Sequence, residues 1–428
     1  MLRAWVHQAH ERLQALWAQL RGARMQRAYA LPKSGALLAL SQAGRRTHAV
    51  RGPERFDVPL VMVVATLVLF GVVMVYSASS ALADSPRYDV SPTYFLMRHL
   101  ASLAVALVGA AVVFAVPMGQ WQKLAPWLFL GVLLLLVMVL VPGLGRGALG
   151  ARRWIHLGPL TLQPSELMKW AALLYAADFT VRKQELMHSF TKGFAPMAAV
   201  MALTGLLLLL QPDLGAFGVL VVICMGLLFL GGMNGRVFVA ITTVLAGAFT
   251  AVIWLSPWRR ERIFAYLDPW SENNVLGKGY QLSHSLIAFG RGEWLGVGLG
   301  GSVEKLHYLP EAHTDFIVAV VGEELGLVGV IALIVLFYWL TKRAFEIGRQ
   351  AVALERTFAG LVAQAVGLWI GVQAFINMGV AMGVLPTKGL TLPLVSYGGS
   401  ALVATLAALS LVLRVDYDNR SLMRGGRV

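Results

Sequence analysis

Apolar residues in this chain are gathered into runs of membrane-spanning length, and that grouping restricts the fold more than any other feature. A span needs about 20 apolar residues. About ten candidate runs occur, near 59–79, 99–117, 125–142, 165–181, 194–211, 214–233, 237–255, 314–341, 358–384 and 396–414. The balance agrees, with 57% of residues apolar and only 14% charged, where a soluble domain carries about a quarter charged. The expected fold is all-α: a polytopic membrane protein of about ten transmembrane helices with a long loop, 256–313, between helices 7 and 8. The fourth run is weak because it carries Glu166, Lys169 and Asp178. The fifth and sixth meet at Gln211-Pro212-Asp213, a turn that Pro and Asp suit.

Charge sets the expected orientation. The net charge is +14, but the basic residues cluster at the ends of apolar runs, where the positive-inside rule places them, so a nucleic-acid partner is not expected. Most Lys and Arg fall inside if both termini are inside. This divides the chain into a basic N-terminal tail (1–58), a membrane domain (59–414) and a short C-terminal tail (415–428). In the first tail Leu2, Trp5, Val6, Leu13, Leu16, Trp17 and Leu20 recur at helical spacing among Arg3, Arg12, Arg21 and Arg24. That pattern fits a basic amphipathic helix on the membrane surface or on a partner, or a plain charged tail. No cleavable signal peptide is expected. One cysteine, Cys224, excludes an intrachain disulfide and a cysteine-based metal site. Loop 256–313 is too long for a passive connector. It and the loop near 143–164 keep positive charge on the disfavoured side, which suits an anionic ligand.

Several segments could carry chemistry. Arg152-Arg153-Trp154-Ile155-His156 precedes Gln163-Pro164-Ser165-Glu166, a helix start with Ser165 as the expected N-cap. Glu166 and Lys169 then share a helical face at the membrane boundary, either pairing with each other or handling an anion with the arginines. Leu309-Pro310-Glu311-Ala312-His313-Thr314-Asp315-Phe316 opens the eighth run. Asp315 is either an N-cap or a general base. Glu323 and Glu324 lie about 12–14 Å further along and are expected to be structural or coupling residues. The glycine-rich 290–302 stretch has no preceding strand, so a dinucleotide site is excluded; a flexible outer loop, with N–H groups turned to an anion, is expected instead. Segment 385–400, broken by Pro and Gly and charged only at Lys388, is expected to be an irregular loop lining a cavity.

In order, these segments resemble the SEDS family (shape, elongation, division and sporulation proteins) from about Val58 to Arg414. The run Tyr308–Phe316 followed by Gly322-Glu323-Glu324-Leu325-Gly326 is the most specific part, and Leu385–Pro393 is similar to the division branch of Gram-negative members. His156 and Ala401 depart mildly from the usual Asn and Ser. The resemblance implies a peptidoglycan glycosyltransferase that polymerises lipid II into glycan strands during septal cell-wall synthesis. It implies a multi-pass inner-membrane location with cytoplasmic termini and a periplasmic site. Asp315 would be the catalytic carboxylate, with Arg152, Arg153, Glu166, Lys169 and Lys388 on the lipid pyrophosphate and His313, Glu311 and Ser396 in support. A divalent cation, magnesium or manganese, could assist; no organic cofactor is implied. The implied partners are the nascent glycan strand, a class B penicillin-binding transpeptidase and other divisome proteins. The alternatives are a lipid II flippase and a divisome scaffold.

Overall fold

The computed structural model describes residues 56–84, 90–148, 151–157, 160–187 and 189–426. The expected amphipathic helix of the N-terminal tail lies outside them. The order is α1 (Val58–Ser79), α2 (Tyr94–Ala115), α3 (Met118–Leu140), β1 (Gly145–Ala148), β2 (Ala151–Leu157), β3 (Leu160–Leu162), α4 (Pro164–Arg182), α5 (Ala195–Leu210), α6 (Leu214–Leu230), α7 (Gly235–Trp254), α8 (Pro257–Leu267), α9 (Glu272–Val275), α10 (Tyr280–Gly292), α11 (Ile317–Ala353), α12 (Thr357–Ala381) and α13 (Gly399–Met423). The chain is a helical membrane bundle, as its apolar runs imply. Eight of the described helices are long and apolar enough to cross a bilayer.

The two weaker candidates, α4 and α6, differ in ways that explain their signal. Helix α6 has 17 residues. Helix α4 buries Glu166, Lys169 and Asp178. A helix enclosed by other helices need not be apolar all round, because its polar groups meet protein rather than lipid. The inner helices α12 and α13 have 72% and 67% of their apolar windows buried, against 6% for α7 on the outside.

Local chemistry sets several boundaries. Asp57 caps α1, accepting from the Leu60 N–H at 3.0 Å, and Asp213 caps α6 through the Ala216 N–H at 3.1 Å. Proline begins α4 and α8, where its missing N–H costs nothing. Ser165 does not cap α4. Gln163 occupies that position, and Ser165 Oγ instead donates to Asp213 Oδ2 at 2.9 Å. The segment before α4, expected as plain loop, folds into an antiparallel meander β1-β2-β3 with Arg146 opposite Trp154 and His156 opposite Thr161.

Helix α11 is interrupted at Gly326, whose φ of 64° is open to glycine. Residues 293–298 dock into this break. Leu327 and Val328 N–H donate to the Glu293 and Trp294 carbonyls, while Val297 and Gly298 N–H donate to those of Glu323 and Glu324. The glycine-rich loop is therefore a docked strap, not a free outer loop. A Cβ at Gly296 would lie 2.1 Å from the Glu324 carbonyl oxygen, so glycine permits this contact.

Candidate active site

At one end of the bundle, the starts of α4, α6 and α11 meet the irregular segment 382–398. Asp315 sits two residues before α11 and is half-buried. It is not a helix cap, because Phe316 holds that position without a side-chain bond. Its main chain is fixed instead: Asn377 Nδ2 on α12 donates to the Asp315 carbonyl at 2.9 Å and to the Leu390 carbonyl at 2.5 Å. That double bond ties the chain at Asp315 to the loop beside it. The loop passes so close that a Cβ on Gly389 would lie 2.9 Å from Asp315 Oδ2.

Among the described residues, no hydrogen bond or ion pair engages the Asp315 carboxylate. Its pKa is pushed up to about 7. Burial is the main cause, and Glu311 and Asp213 add to it, while Arg153 and Arg262 oppose it. Two arginines and two further carboxylates thus converge on one unpaired acid. Arg262 comes from α8. Burial and repulsion from Arg153 weaken its hold on its proton, and Asp315 acts in the opposite sense. Lys388 is half-buried, and burial lowers its pKa to about 8, aided by Arg262 and Arg259.

The other expected residues take different places. Arg153 anchors the turn before α6, donating from Nε to the Gln211 carbonyl at 3.1 Å and from Nη2 to that of Pro212 at 2.6 Å. Arg152 is exposed. Lys169 is fully buried and ion-paired with Glu166 at 2.8 Å. It also donates to Gln373 Oε1 at 2.8 Å and lies 5.3 Å from the Trp369 ring centre. Gln373 in turn donates to the Thr391 carbonyl at 2.9 Å. The pair therefore supports the 382–398 loop from beneath. His313 is buried between Phe95 and Tyr397, with ring centres 4.9 and 5.5 Å away, and burial lowers its pKa. Glu311 accepts from Thr314 Oγ1 at 2.7 Å. Ser396 Oγ accepts from the Leu392 N–H at 2.9 Å and closes a turn.

Glu323 and Glu324 belong to a separate cluster. Glu323 accepts from Arg291 at 2.8 Å, Ser302 Oγ at 2.5 Å and the Val303 N–H at 2.9 Å. Glu324 pairs with Lys305 at 2.7 Å and accepts from Ser77 Oγ at 2.7 Å. The strap's own N–H groups meet main-chain carbonyls, not an anion, and the Glu323 carboxylate is met by the Val303 and Glu304 N–H groups just beyond the glycine-rich stretch.

Sequence reasoning missed the individual roles of Arg262, Asp213, Asn377 and Gln373. The signal for Arg262 was present as positive charge kept in loop 256–313. Asp213 was visible only as a turn residue. Asn377 and Gln373 stand inside an apolar run, where a buried amide gave the only hint.

Comparison with known proteins bears on the family and the fold. The family model for the FtsW, RodA and SpoVE proteins, described as cell cycle protein, matches residues 58–421. A probable peptidoglycan glycosyltransferase FtsW of Burkholderia thailandensis is 59% identical, over 96% of this chain and 92% of its own length. One of the same description from Aromatoleum aromaticum is also 59% identical, over 86% of this chain and 90% of its own length. Among solved structures, a chain from work on structural coordination of polymerization and crosslinking by a peptidoglycan synthase complex is 33% identical with a TM-score of 0.68. It covers 85% of this chain and 98% of its own. The rod shape determining protein RodA of Thermus thermophilus is 31% identical with a TM-score of 0.61, over 85% of this chain and 97% of its own.

Proposed function

This chain belongs to the FtsW, RodA and SpoVE family of cell cycle proteins, and we propose that it polymerises lipid II into glycan strands at Asp315. It is a peptidoglycan glycosyltransferase, the activity for which its relatives are named. The observation that carries the site is an unpaired, half-buried carboxylate facing two arginines, with its pKa near neutrality. A general base works best when its pKa lies near the working pH.

The chemistry fits such a group. The donor sugar is α-linked to lipid diphosphate and the product is β-linked, so the anomeric carbon inverts in one displacement. The acceptor hydroxyl oxygen forms the new bond to that carbon as the carbon–oxygen bond to diphosphate breaks. Asp315 takes the hydroxyl proton. The diphosphate leaves with the bonding electrons as an anion. It therefore needs positive charge, not the second carboxylic acid that glycoside hydrolysis uses. Arg262, Lys388 and the exposed Arg152 have no ion-pair partner among the described residues and can supply that charge. Arg153 contributes its field from the α6 turn. Glu166 and Lys169 act as positioning residues through Gln373 and Thr391.

A divalent cation, magnesium or manganese, would be another source of positive charge. The residues do not fit a resident one. Among the described residues no three His, Cys, Asp or Glu side chains are grouped to hold a metal. Arg153 and Arg262 already lie near Asp315, and Asp213 is committed to Ser165 and the α6 cap. No step is routed through a metal. An organic cofactor has no role in a displacement from an already activated donor.

Placed in the inner membrane with both termini cytoplasmic, the protein presents Asp315 to the periplasm, where septal wall synthesis takes place. The structural relative comes from work on a peptidoglycan synthase complex, which supports a class B transpeptidase as partner within the divisome. A flippase would need free charge along a path through the bilayer. Glu323, Glu324 and Asp178 are instead matched by Arg291, Lys305 and Arg182, which weighs against that reading.

The test is lipid II polymerisation by the purified protein with its transpeptidase, read as glycan strands on a gel. The wild type should form strands and Asp315→Ala should not. Normal strand formation by Asp315→Ala would place the base elsewhere.

A further inference from the structure

The end of the bundle opposite Asp315 holds a cavity of about 240 Å³, lined by the last turns of α4, α6 and α11 and the first turns of α12. Arg349, Thr357, Gln364 and Thr180 bring polar groups to it, and among the described residues no carboxylate lines it. Three arginines at this end are paired: Arg356 with Asp418 at 2.5 Å, Arg343 with Glu346 at 2.8 Å and Arg182 with Asp178 at 2.8 Å. Arg349 is exposed at the rim, and no ion pair or hydrogen bond engages it among the described residues.

Gln364 is a second, independent sign. It is only 6% exposed, and its amide has no hydrogen-bond partner among the described residues. Its amide therefore turns its donors and acceptor to the cavity, where a ligand can meet them. Its stem rests on Gly348, where a Cβ would lie 2.5 Å from Gln364 Cγ. Thr357 begins α12, a 25-residue helix. The first-turn N–H groups of such a helix have no partners within it and carry the positive end of its dipole. A guanidinium, a hydroxyl, an amide and a helix N-terminus together make a site for an anion.

The rim tells which kind of anion. Leu230 and Val352 at the mouth are apolar and exposed, at 38% and 42%. Lipid-facing side chains beside a charged recess suit a headgroup with an acyl chain lying outside. The volume is below the roughly 300–1,000 Å³ of whole small-molecule sites, enough for a phosphate head but not for a complete lipid. We infer that this cavity binds the phosphate of an anionic membrane lipid, held by Arg349, Thr357 and Gln364.

The test uses the full chain in detergent micelles. Native mass spectrometry reads retained phosphatidylglycerol, and a thermal melt reads the response to short-chain phosphatidylglycerol or to inorganic phosphate. The wild type should retain the lipid and melt at higher temperature when it is added. Arg349→Gln should weaken retention about tenfold, the scale of one charge-assisted hydrogen bond. Gln364→Leu should reduce retention while melting no lower without lipid, since it removes an unpartnered amide. Lys342→Gln removes the same charge from α11 outside the cavity lining and should leave lipid retention unchanged. Equal retention by the wild type and Arg349→Gln overturns the site. An equal loss in Lys342→Gln reduces it to general surface charge. A shift with inorganic phosphate as large as with lipid overturns the lipid as source.

Discussion

Asp315 and Glu324 stand on one short stretch of chain, and their surroundings are opposite. Glu324 is fully buried and satisfied by Lys305 and Ser77, and Glu323 beside it by Arg291, Ser302 and the Val303 N–H. Asp315 is half-buried, its carboxylate is unpaired, and its pKa has risen to about 7. A buried carboxylate with a full set of donors belongs to the scaffold. One denied partners, with arginines held nearby but not touching, can exchange a proton. The contrast explains why the more deeply buried acids are not the better catalytic candidates.

Two substitutions should separate the acids most widely. Asp315→Asn should lower strand synthesis by about 10²–10⁴-fold, the usual contribution of a general base, with no loss in melting temperature at pH 8. Glu324→Gln should instead unfold the bundle at lower temperature. It leaves the Lys305 ammonium buried without a counter-charge, and breaking a buried pair in this way costs about 3–5 kcal/mol. Thermal denaturation in detergent beside the gel assay distinguishes them. If Glu324→Gln keeps its melting temperature but loses activity, the contrast between scaffold and chemistry fails. Replacing both partners, Glu324→Gln with Lys305→Met, should restore part of the stability, because no lone charge remains.

The pH dependence sharpens the same contrast. The folded protein holds the Asp315 proton more tightly than the unfolded chain does. Its contribution is therefore a loss of stability that grows as pH rises from the ordinary 3.8 to about 7. Asp315→Asn should flatten that part of the melting-temperature profile. Activity should run the other way, rising through about pH 7 as the base loses its proton. It should decline above about pH 8 as Lys388 loses the charge that attracts diphosphate. Arg262→Gln should move the acidic limb to higher pH, because Arg262 is one of the groups holding the Asp315 pKa down. Lys388→Arg should remove the alkaline limb, because a guanidinium stays charged.

What the sequence made legible follows from how local each cause is. Apolar runs marked the lipid-facing helices because composition alone decides them. Helix α4 was faint because its acidic and basic residues meet other helices, which a hydropathy count cannot see. Asp315 was visible as a carboxylate before a span. Its choice between cap and base was open, because that depends on whether Phe316 or Asp315 begins the helix and on residues distant in sequence. Arg262 reaches the site from α8 and Asn377 from α12, and no spacing reports either approach. The glycine-rich strap was visible as a composition, but its role as the cover of a kinked helix needs Gly326 and Gly296 in contact.

The smallest expected effect tests the basic side of the comparison. Arg152 and Arg153 are adjacent on β2, at a bulge where Arg152 faces Gly147 and Arg153 has no partner on β1. Arg153 is anchored to the Gln211 and Pro212 carbonyls, and that turn carries Asp213, which caps α6. Its loss should loosen the floor of the site and cost stability on the scale of two charge-assisted hydrogen bonds, about 1.5–3 kcal/mol for each. Arg152 is exposed and has no ion pair among the described residues, so Arg152→Ala should change stability by no more than about 0.5 kcal/mol. If Arg152 meets the lipid diphosphate before reaction as well as during it, its removal weakens both states alike. KM for lipid II should then rise a few-fold with kcat unchanged. A fall in kcat at constant KM would instead place Arg152 on the leaving group in the transition state.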